Sequence, residues 1–123
     1  MLIIYNFFNF VIYACNIPMI VTFEHDYLKE LFETGGTSGK KHRFQPQIVK
    51  AYQKVVKILL NADTIEDLWK FKSLNYEVLI GDKKGRSSVR INSQYRLEVE
   101  VIKNNEDILL TICNILEISN HYS

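Results

Sequence analysis

Two runs of alternating polar and apolar residues lie close together in the middle of the chain. The first is Ser88–Ile91, the second is Tyr95–Val101, and the polar residues 92–94 separate them. Alternation with a period of two is typical of strands with one face on a core. The pattern therefore predicts a β-hairpin whose apolar side chains share one face.

Helical periodicity is clearest from Pro46 to about Asn61, where the proline suits a first helical turn because its missing N–H costs nothing there. The apolar stripe of this helix consists of Ile48, Ala51, Tyr52, Val55 and Leu59. A shorter helix is predicted over His25–Glu33. A third begins after Thr64, which carries capping chemistry, and runs through Trp69.

Three further segments have the composition of strands. Met19–Phe23 and Tyr76–Ile80 are short and mostly apolar. Ile108–Ile118 is almost continuously apolar and rich in β-branched residues, which predicts a strand buried on both faces.

The predicted hairpin carries two arginines on its polar side. Arg90 lies off the face of Val89, and Arg96 lies off the face of Leu97. The core should therefore need neither arginine, and a planar guanidinium on a rigid strand suits a phosphate ligand. The alternative is an ordinary solvated face in which Arg96 pairs with a glutamate of its own strand, Glu98 or Glu100.

The chain has 123 residues, enough for one domain with a single core, and a net charge of +1. That charge is unevenly spread: residues 40–96 hold thirteen Lys and Arg against five Asp and Glu, and the rest holds two against nine. A basic middle region favours an anionic partner. Lys50, Lys54 and Lys57 form a basic stripe on the long helix, which is either a nucleic-acid contact or a solvated face.

The cysteines and histidines suggest no cross-link and no metal site. Cys113 lies in an apolar run and is expected to be a buried, reduced thiol in a cytoplasmic protein, and Cys15 has no framework to join. His25, His42 and His121 lack the spacing of metal ligands.

Residues 1–18 form an uncharged, apolar and aromatic extension that is interrupted by asparagines. They lack the positive start of a secretory signal and the basic flank of a membrane helix. The leading hypothesis is that Met19 is the true start and that residues 1–18 are upstream sequence, with residues 19–123 forming one domain. The alternative is a hydrophobic anchor.

Three blocks of the sequence together resemble the HigB-type toxins, the plasmid-maintenance killer branch of the RelE/ParE superfamily. They are HDYLKELFETGGTS, GDKKGRSSVRINSQYRL and the terminal EISNHY. The resemblance implies an α+β fold in which N-terminal helices pack on a curved, mainly antiparallel sheet of four to five strands. It also implies a ribosome-dependent endoribonuclease that cuts mRNA in the A site without a metal or other cofactor. The implied partner is a HigA-like antitoxin with a helix-turn-helix domain, and the implied location is the cytoplasm.

The same resemblance implies the site residues. The family's hairpin arginine corresponds to Arg96, its second basic residue to Arg90, and its terminal histidine and aromatic residue to His121 and Tyr122. The arginines would stabilise the phosphate in the transition state, and the histidine would transfer a proton near its ordinary pKa. Residues expected to contact RNA or the ribosome are Lys40, Lys41, Arg43, Lys50, Lys54, Lys57, Lys83, Lys84 and Arg86.

The chain departs from the family at two positions. Glu77 stands where members carry a histidine, and Ile80 stands where they carry a lysine. Lys72, Lys83 or Lys84 could replace the lysine. The alternatives to a ribonuclease are a ParE-like gyrase poison on the same fold, or a degenerate toxin that binds only its antitoxin.

Overall fold

The computed structural model describes residues 19–104 and 110–120. In chain order the elements are strand β1 (Ile20–Phe23), helices α1 (Asp26–Thr34), α2 (Pro46–Asn61) and α3 (Ile65–Lys70), and strands β2 (Glu77–Val78), β3 (Ser87–Arg90), β4 (Tyr95–Asn104) and β5 (Leu110–Asn120). Short 3₁₀ turns cover Lys72–Leu74 and Gly81–Lys83.

In the described ranges the five strands form one sheet in the order β1-β5-β4-β3-β2. Only β1 and β5 run parallel, and the other neighbours are antiparallel. The first strand, β1, therefore lies at one edge of the sheet. After the three helices the chain returns at the opposite edge with β2, and β3, β4 and β5 follow in order toward β1. The predicted α+β class, with helices on a mainly antiparallel sheet, is confirmed.

The helices begin and end close to the predicted residues. Helix α2 carries Pro46 in its first turn, and α3 has the predicted capping box, in which Thr64 Oγ1 accepts from the Asp67 amide at 3.2 Å. Tyr52 on α2 is fully buried, and its hydroxyl donates to the Leu28 carbonyl oxygen on α1 at 2.7 Å. That hydrogen bond fixes the two helices against each other over the sheet.

One face of the sheet is buried against these helices. The strand residues of this face are fully buried and pack with the apolar stripes of the helices in one core cluster: Val89, Leu97, Val99, Cys113 and Ile115. The apolar residues of the β3–β4 hairpin therefore face the core, as the alternating pattern predicted. The Cys113 thiol is free and buried, as predicted, and Cys15 lies outside the described residues.

Two strand predictions were wrong. β5 is buried on one face only: Cys113 and Ile115 are fully buried, whereas Ile112 and Asn114 are partly exposed. A bulge pairs Glu98 with Glu117 but Val99 with Ile115, so Leu116 is an extra residue. Because the extra residue shifts the alternation by one, the core-facing residues are Cys113 and Ile115 before the bulge and Ile118 after it.

The other wrong prediction is the extent of the strand before the hairpin. β2 covers only Glu77–Val78 instead of Tyr76–Ile80, and it lies at the edge of the sheet. Gly81, at φ +72°, then opens a 3₁₀ turn. The backbone must turn there to enter β3, so the apolar residues at 78 and 80 are left 70% and 86% exposed.

Candidate active site on the polar face of the sheet

The face of the sheet away from the helices carries a set of charged and hydroxyl side chains, which we call the polar face. Residues directly opposite each other on neighbouring strands share a face. One such row runs from Glu77 through Ser88 and Glu98 to Glu117. The adjacent row consists of Arg90, Arg96 and Ser119.

Arg96 is held at the centre of the polar face. Its Nε donates to Ser88 Oγ at 2.8 Å, and its Nη2 donates to the Asn75 carbonyl oxygen at 2.6 Å and the Ser88 carbonyl oxygen at 3.3 Å. The Glu77 carboxylate is 3.9 Å from Nη2. Among the described residues no partner is found for Nη1. The guanidinium is thus oriented in one direction before any ligand arrives.

These contacts correct one expectation. Arg96 does lie on the side of β4 away from the core, but it is only 7% exposed and its hydrogen bonds join three segments. The fold therefore uses this arginine. Asn75, in the left-handed conformation at φ 43°, turns its carbonyl oxygen toward the guanidinium. The pairing with Glu98 or Glu100 that the alternative reading expected is not observed.

Arg90 lies directly opposite Arg96 in the β3–β4 register. It is exposed, and in the described part of the chain its side chain forms no hydrogen bond or ion pair. Cβ atoms of directly opposite residues lie about 4.5–5.5 Å apart, and like charges in such a pair repel. An anion bound between the two guanidinium groups would relieve that repulsion.

Glu98 forms the second charged cluster of the polar face. Its carboxylate is 3% exposed and binds Lys83 Nζ at 2.5 Å and Arg86 Nη1 at 3.1 Å. Arg86 also reaches Glu117 at 3.6 Å. Burial alone would raise the pKa of Glu98, but hydrogen bonds from Lys83, Arg86 and Ser119 outweigh burial and lower it. Two of the predicted RNA-contacting residues are therefore already paired with a carboxylate.

The two departures from the family pattern occupy different surroundings. Glu77 stands beside the Arg96 guanidinium, so the position at which the family resemblance predicted a histidine belongs to the candidate site. Ile80 is 86% exposed and makes no core contact. Lys72 lines a groove beside Asn75, and Lys84 is exposed at the end of a 3₁₀ turn. The sequence analysis missed Glu77 as a candidate functional group, and only its distance to Arg96 reveals it.

The remaining basic residues lie on the other parts of the surface. Lys50, Lys54 and Lys57 are exposed along α2, and Lys40, Lys41 and Arg43 are exposed between α1 and α2. His121 and Tyr122 lie outside the described residues. The described part of β5 ends at Asn120, opposite Tyr95 and next to the row that contains Arg96.

A cavity of about 480 Å³ opens beside this end of β5. The Tyr27 and His42 rings stack in it with centroids 3.6 Å apart, and Glu117 forms part of its wall. Burial and the Glu117 charge raise the pKa of Tyr27. Because Glu117 also contacts Arg86, the cavity adjoins the polar face.

Within residues 19–104 and 110–120 no group of three or more metal-ligating side chains is found. No helix in those ranges is long and apolar enough to span a membrane.

This arrangement of helices and strands is similar to the folds of solved bacterial proteins. A YoeB/ParE toxin from Agrobacterium tumefaciens is 14% identical, with a TM-score of 0.50, and the match covers 85% of this chain and 100% of that one. YafQ from E. coli is 10% identical, with a TM-score of 0.51, over 85% and 94% of the two chains. A comparison with curated protein sequences finds no match.

The particular family follows from the sequence of the domain. Residues 21–114 match the model of the HigB-like toxins, described as the RelE-like toxin of the type II toxin-antitoxin system HigB. The chain belongs to this family and is the toxin of a type II toxin-antitoxin system. Membership implies an antitoxin partner.

Proposed function

We propose that this toxin is a ribosome-dependent endoribonuclease that cuts mRNA in the ribosomal A site without a metal ion. The observation that carries the proposal is the cross-strand pair of Arg90 and Arg96. One guanidinium is fixed by Ser88 and Asn75, and the other is exposed and unpaired among the described residues. Two cations in this position fit the non-bridging oxygens of one phosphate.

The chemistry is a transesterification at phosphorus. The ribose 2′-oxygen loses its proton and attacks the phosphorus, the bond to the 5′-oxygen breaks, and a 2′,3′-cyclic phosphate forms. Negative charge grows on the phosphate oxygens, where Arg96 Nη1 and Arg90 donate hydrogen bonds. Preorganised donors of this kind are worth about 10²–10³ each in rate.

The proton transfers need a base and an acid. Glu77 is half exposed beside Arg96, so its carboxylate is placed to accept the 2′-hydroxyl proton. It takes the position of the histidine that relatives carry. We assign protonation of the leaving 5′-oxygen to His121, and we assign base stacking or phosphate orientation to Tyr122.

The ribosome supplies alignment of the mRNA. The exposed lysines of α2 and the segment from Lys40 to Arg43 would contact ribosomal RNA through charge, without reading sequence. Lys83, Lys84 and Arg86 would extend this surface, with the first and third already paired to Glu98. The toxin would act in the cytoplasm, and a HigA-like helix-turn-helix antitoxin would neutralise it.

The test is controlled expression of the full chain, with mRNA 5′ ends mapped on ribosomes. Arg90→Gln is the informative variant because Arg90 is exposed, so its replacement removes a phosphate contact without disturbing the fold. Lys29→Gln on α1 is the matched control, since Lys29 is also exposed and lies outside the site. We expect rapid translational arrest and A-site cuts with wild type and with Lys29→Gln. Arg90→Gln should reduce cutting about 100-fold, and Glu77→Gln should reduce it as well.

Cuts that persist unchanged in Arg90→Gln would refute the assignment of the arginine pair. DNA-damage signalling before any loss of translation would instead indicate a gyrase poison. One observation favours a second candidate, a toxin that binds its antitoxin but no longer cuts: Glu98 neutralises Lys83 and Arg86. Normal growth and no new ends from folded protein, together with binding of its antitoxin, would establish that alternative.

A further inference from the structure

A run of alternating aromatic and basic residues, Trp69-Lys70-Phe71-Lys72, covers the end of α3 and the start of the turn after it, and has no role in the proposed chemistry. All four residues are exposed: Trp69 by 59% and Phe71 by 47%. Neither lysine forms an ion pair with a described residue. Large aromatic side chains at such exposure contribute little to the core, so their surface remains available to a partner.

Three residues of the run, Trp69, Phe71 and Lys72, line a groove of about 510 Å³ together with Tyr76. Lys70 lines a neighbouring cavity, whose wall also includes Phe71. The Trp69 and Tyr76 ring centroids are 6.3 Å apart with planes tilted by 50°. The Tyr76 hydroxyl donates to Ser87 Oγ at 2.8 Å, which fixes that ring against β3. Two aromatic rings therefore line the groove beside Phe71.

The groove leads to the candidate active site. Asn75 lines it, and the carbonyl oxygen of the same residue accepts from Arg96 Nη2 at 2.6 Å. A single strand of nucleic acid lying along the groove would therefore pass Asn75, the residue that holds the Arg96 guanidinium. We assign that guanidinium to the phosphate. Continuity between an aromatic, basic groove and that guanidinium is what a single-stranded polyanion with planar bases requires.

We propose that this groove binds single-stranded RNA next to the cleaved phosphate. Bases stack on Trp69 and Phe71, and the Lys72 ammonium group contacts a phosphate within the groove. Lys70, on the neighbouring cavity beyond Phe71, contacts the next phosphate of the strand. The position of the cut relative to the groove rests on the proposed function, whereas binding of RNA in the groove can be measured without cleavage. Basic charge together with aromatic rings favours RNA over an acidic protein segment, because nucleobases use the ring faces and phosphates use the lysines.

Trp69 is the only tryptophan of the chain, so fluorescence excited selectively in tryptophan, at wavelengths where tyrosine does not absorb, reports on the groove. The full chain is titrated at low salt with a 2′-O-methylated RNA of mixed sequence about ten nucleotides long, a length within the usual site sizes of such grooves. We expect stacking to quench Trp69 emission. Heparin, which carries charge but no bases, should bind without that quenching.

Two variants separate stacking from folding effects. Phe71→Ala should weaken RNA binding about fivefold or more, because one base loses its stacking partner. Ile102→Ala is the matched control: Ile102 is 43% exposed, close to the value for Phe71, and lies outside the groove. A double variant, Lys70→Gln with Lys72→Gln, should lower the slope of log affinity against log salt by about 1.4.

RNA that binds without changing Trp69 emission, or that binds Phe71→Ala as tightly as Ile102→Ala, would overturn the inference. Equal quenching by heparin would do the same. An antitoxin surface at this groove would show no quenching by RNA, with a shift of Trp69 emission to shorter wavelength in the toxin-antitoxin complex. Arg90-dependent cutting on ribosomes without quenching would leave the proposed function standing and remove only the groove. Quenching without any cutting would support the RNA-binding groove and refute the proposed ribonuclease function.

Discussion

The Glu98 carboxylate is 3% exposed and holds two cations of the polar face, so Glu98→Gln should destabilise the protein measurably. The substitution keeps the shape of the side chain but removes the charge that accepts from Lys83 and Arg86. It also turns an amide NH₂ toward one of those cations. The partners are 46% and 38% exposed and can regain water, so the loss is smaller than for a fully buried pair.

Hydrogen bonds to charged groups contribute about 1.5–3 kcal/mol each before such compensation. Allowing for the renewed hydration of Lys83 and Arg86, we expect a loss of about 2 kcal/mol in the free energy of unfolding for Glu98→Gln. Glu100→Gln is the matched control, since Glu100 is exposed two residues further along β4 and has no ion pair with a described residue. Its effect should stay within about 0.5 kcal/mol.

The pH dependence has a definite sign. The folded pKa of Glu98 lies below its ordinary value of 4.5. A carboxyl group with a lowered folded pKa contributes stability that is fully present above the unfolded pKa, and this stability is lost as pH falls through the folded pKa. The difference in stability between wild type and Glu98→Gln should therefore be constant around neutral pH and shrink below about pH 4.5.

Urea unfolding of the full chain, followed by far-UV circular dichroism at several pH values, measures both effects. With the usual urea slopes, the expected loss moves the unfolding midpoint by about 1 M. A Glu98→Gln midpoint equal to that of Glu100→Gln at neutral pH would refute the reasoning. So would a stability difference that grows as the pH falls.

Three further predictions concern stability and reactivity. Thr64→Ala removes the side-chain acceptor of the Asp67 amide and should cost about 1 kcal/mol by urea unfolding. Tyr52→Phe removes the buried hydrogen bond to Leu28 and should cost about 1 kcal/mol in the same assay, with unchanged secondary structure; no loss would show that the bond between α1 and α2 is unimportant. Burial raises the pKa of the Cys113 thiol to about 12, so an alkylating reagent at pH 8 should modify it in urea but not in the native protein, as peptide mass spectrometry would show.

Arg96 combines a structural with a proposed chemical role, and this affects how mutations should be interpreted. Replacing it removes hydrogen bonds to Ser88 and Asn75 as well as any phosphate contact. Loss of toxicity in Arg96→Ala would therefore fit both misfolding and lost chemistry. Arg90 does not have this ambiguity, because it is exposed and its side chain has no hydrogen bond or ion pair with a described residue.

Much of the fold could be predicted from local signals. The limits of α2, the capped start of α3 and the hairpin of β3 and β4 agree with the prediction because each depends on residues a few positions apart. A helix stripe, a capping box and a period of two are all such short-range features. The pair Arg90 and Arg96 could be placed on one face for the same reason.

The tertiary structure alone decided what those residues contact. Position 116 reads as one more apolar residue of a run, and only its pairing with β4 shows it to be a bulge. From the sequence, Arg96 is either a phosphate-binding or a solvated arginine that the core does not need, yet Asn75, twenty-one positions away, covers it with a carbonyl oxygen. Glu98 meets Lys83 and Arg86 because the turn after β2 folds back over β4. Such contacts join residues that are far apart in the chain, so no short sequence pattern reveals them. The sequence by itself determined which residues form each helix and strand. The packing of distant segments against one another determined which charged side chains of the described residues are paired.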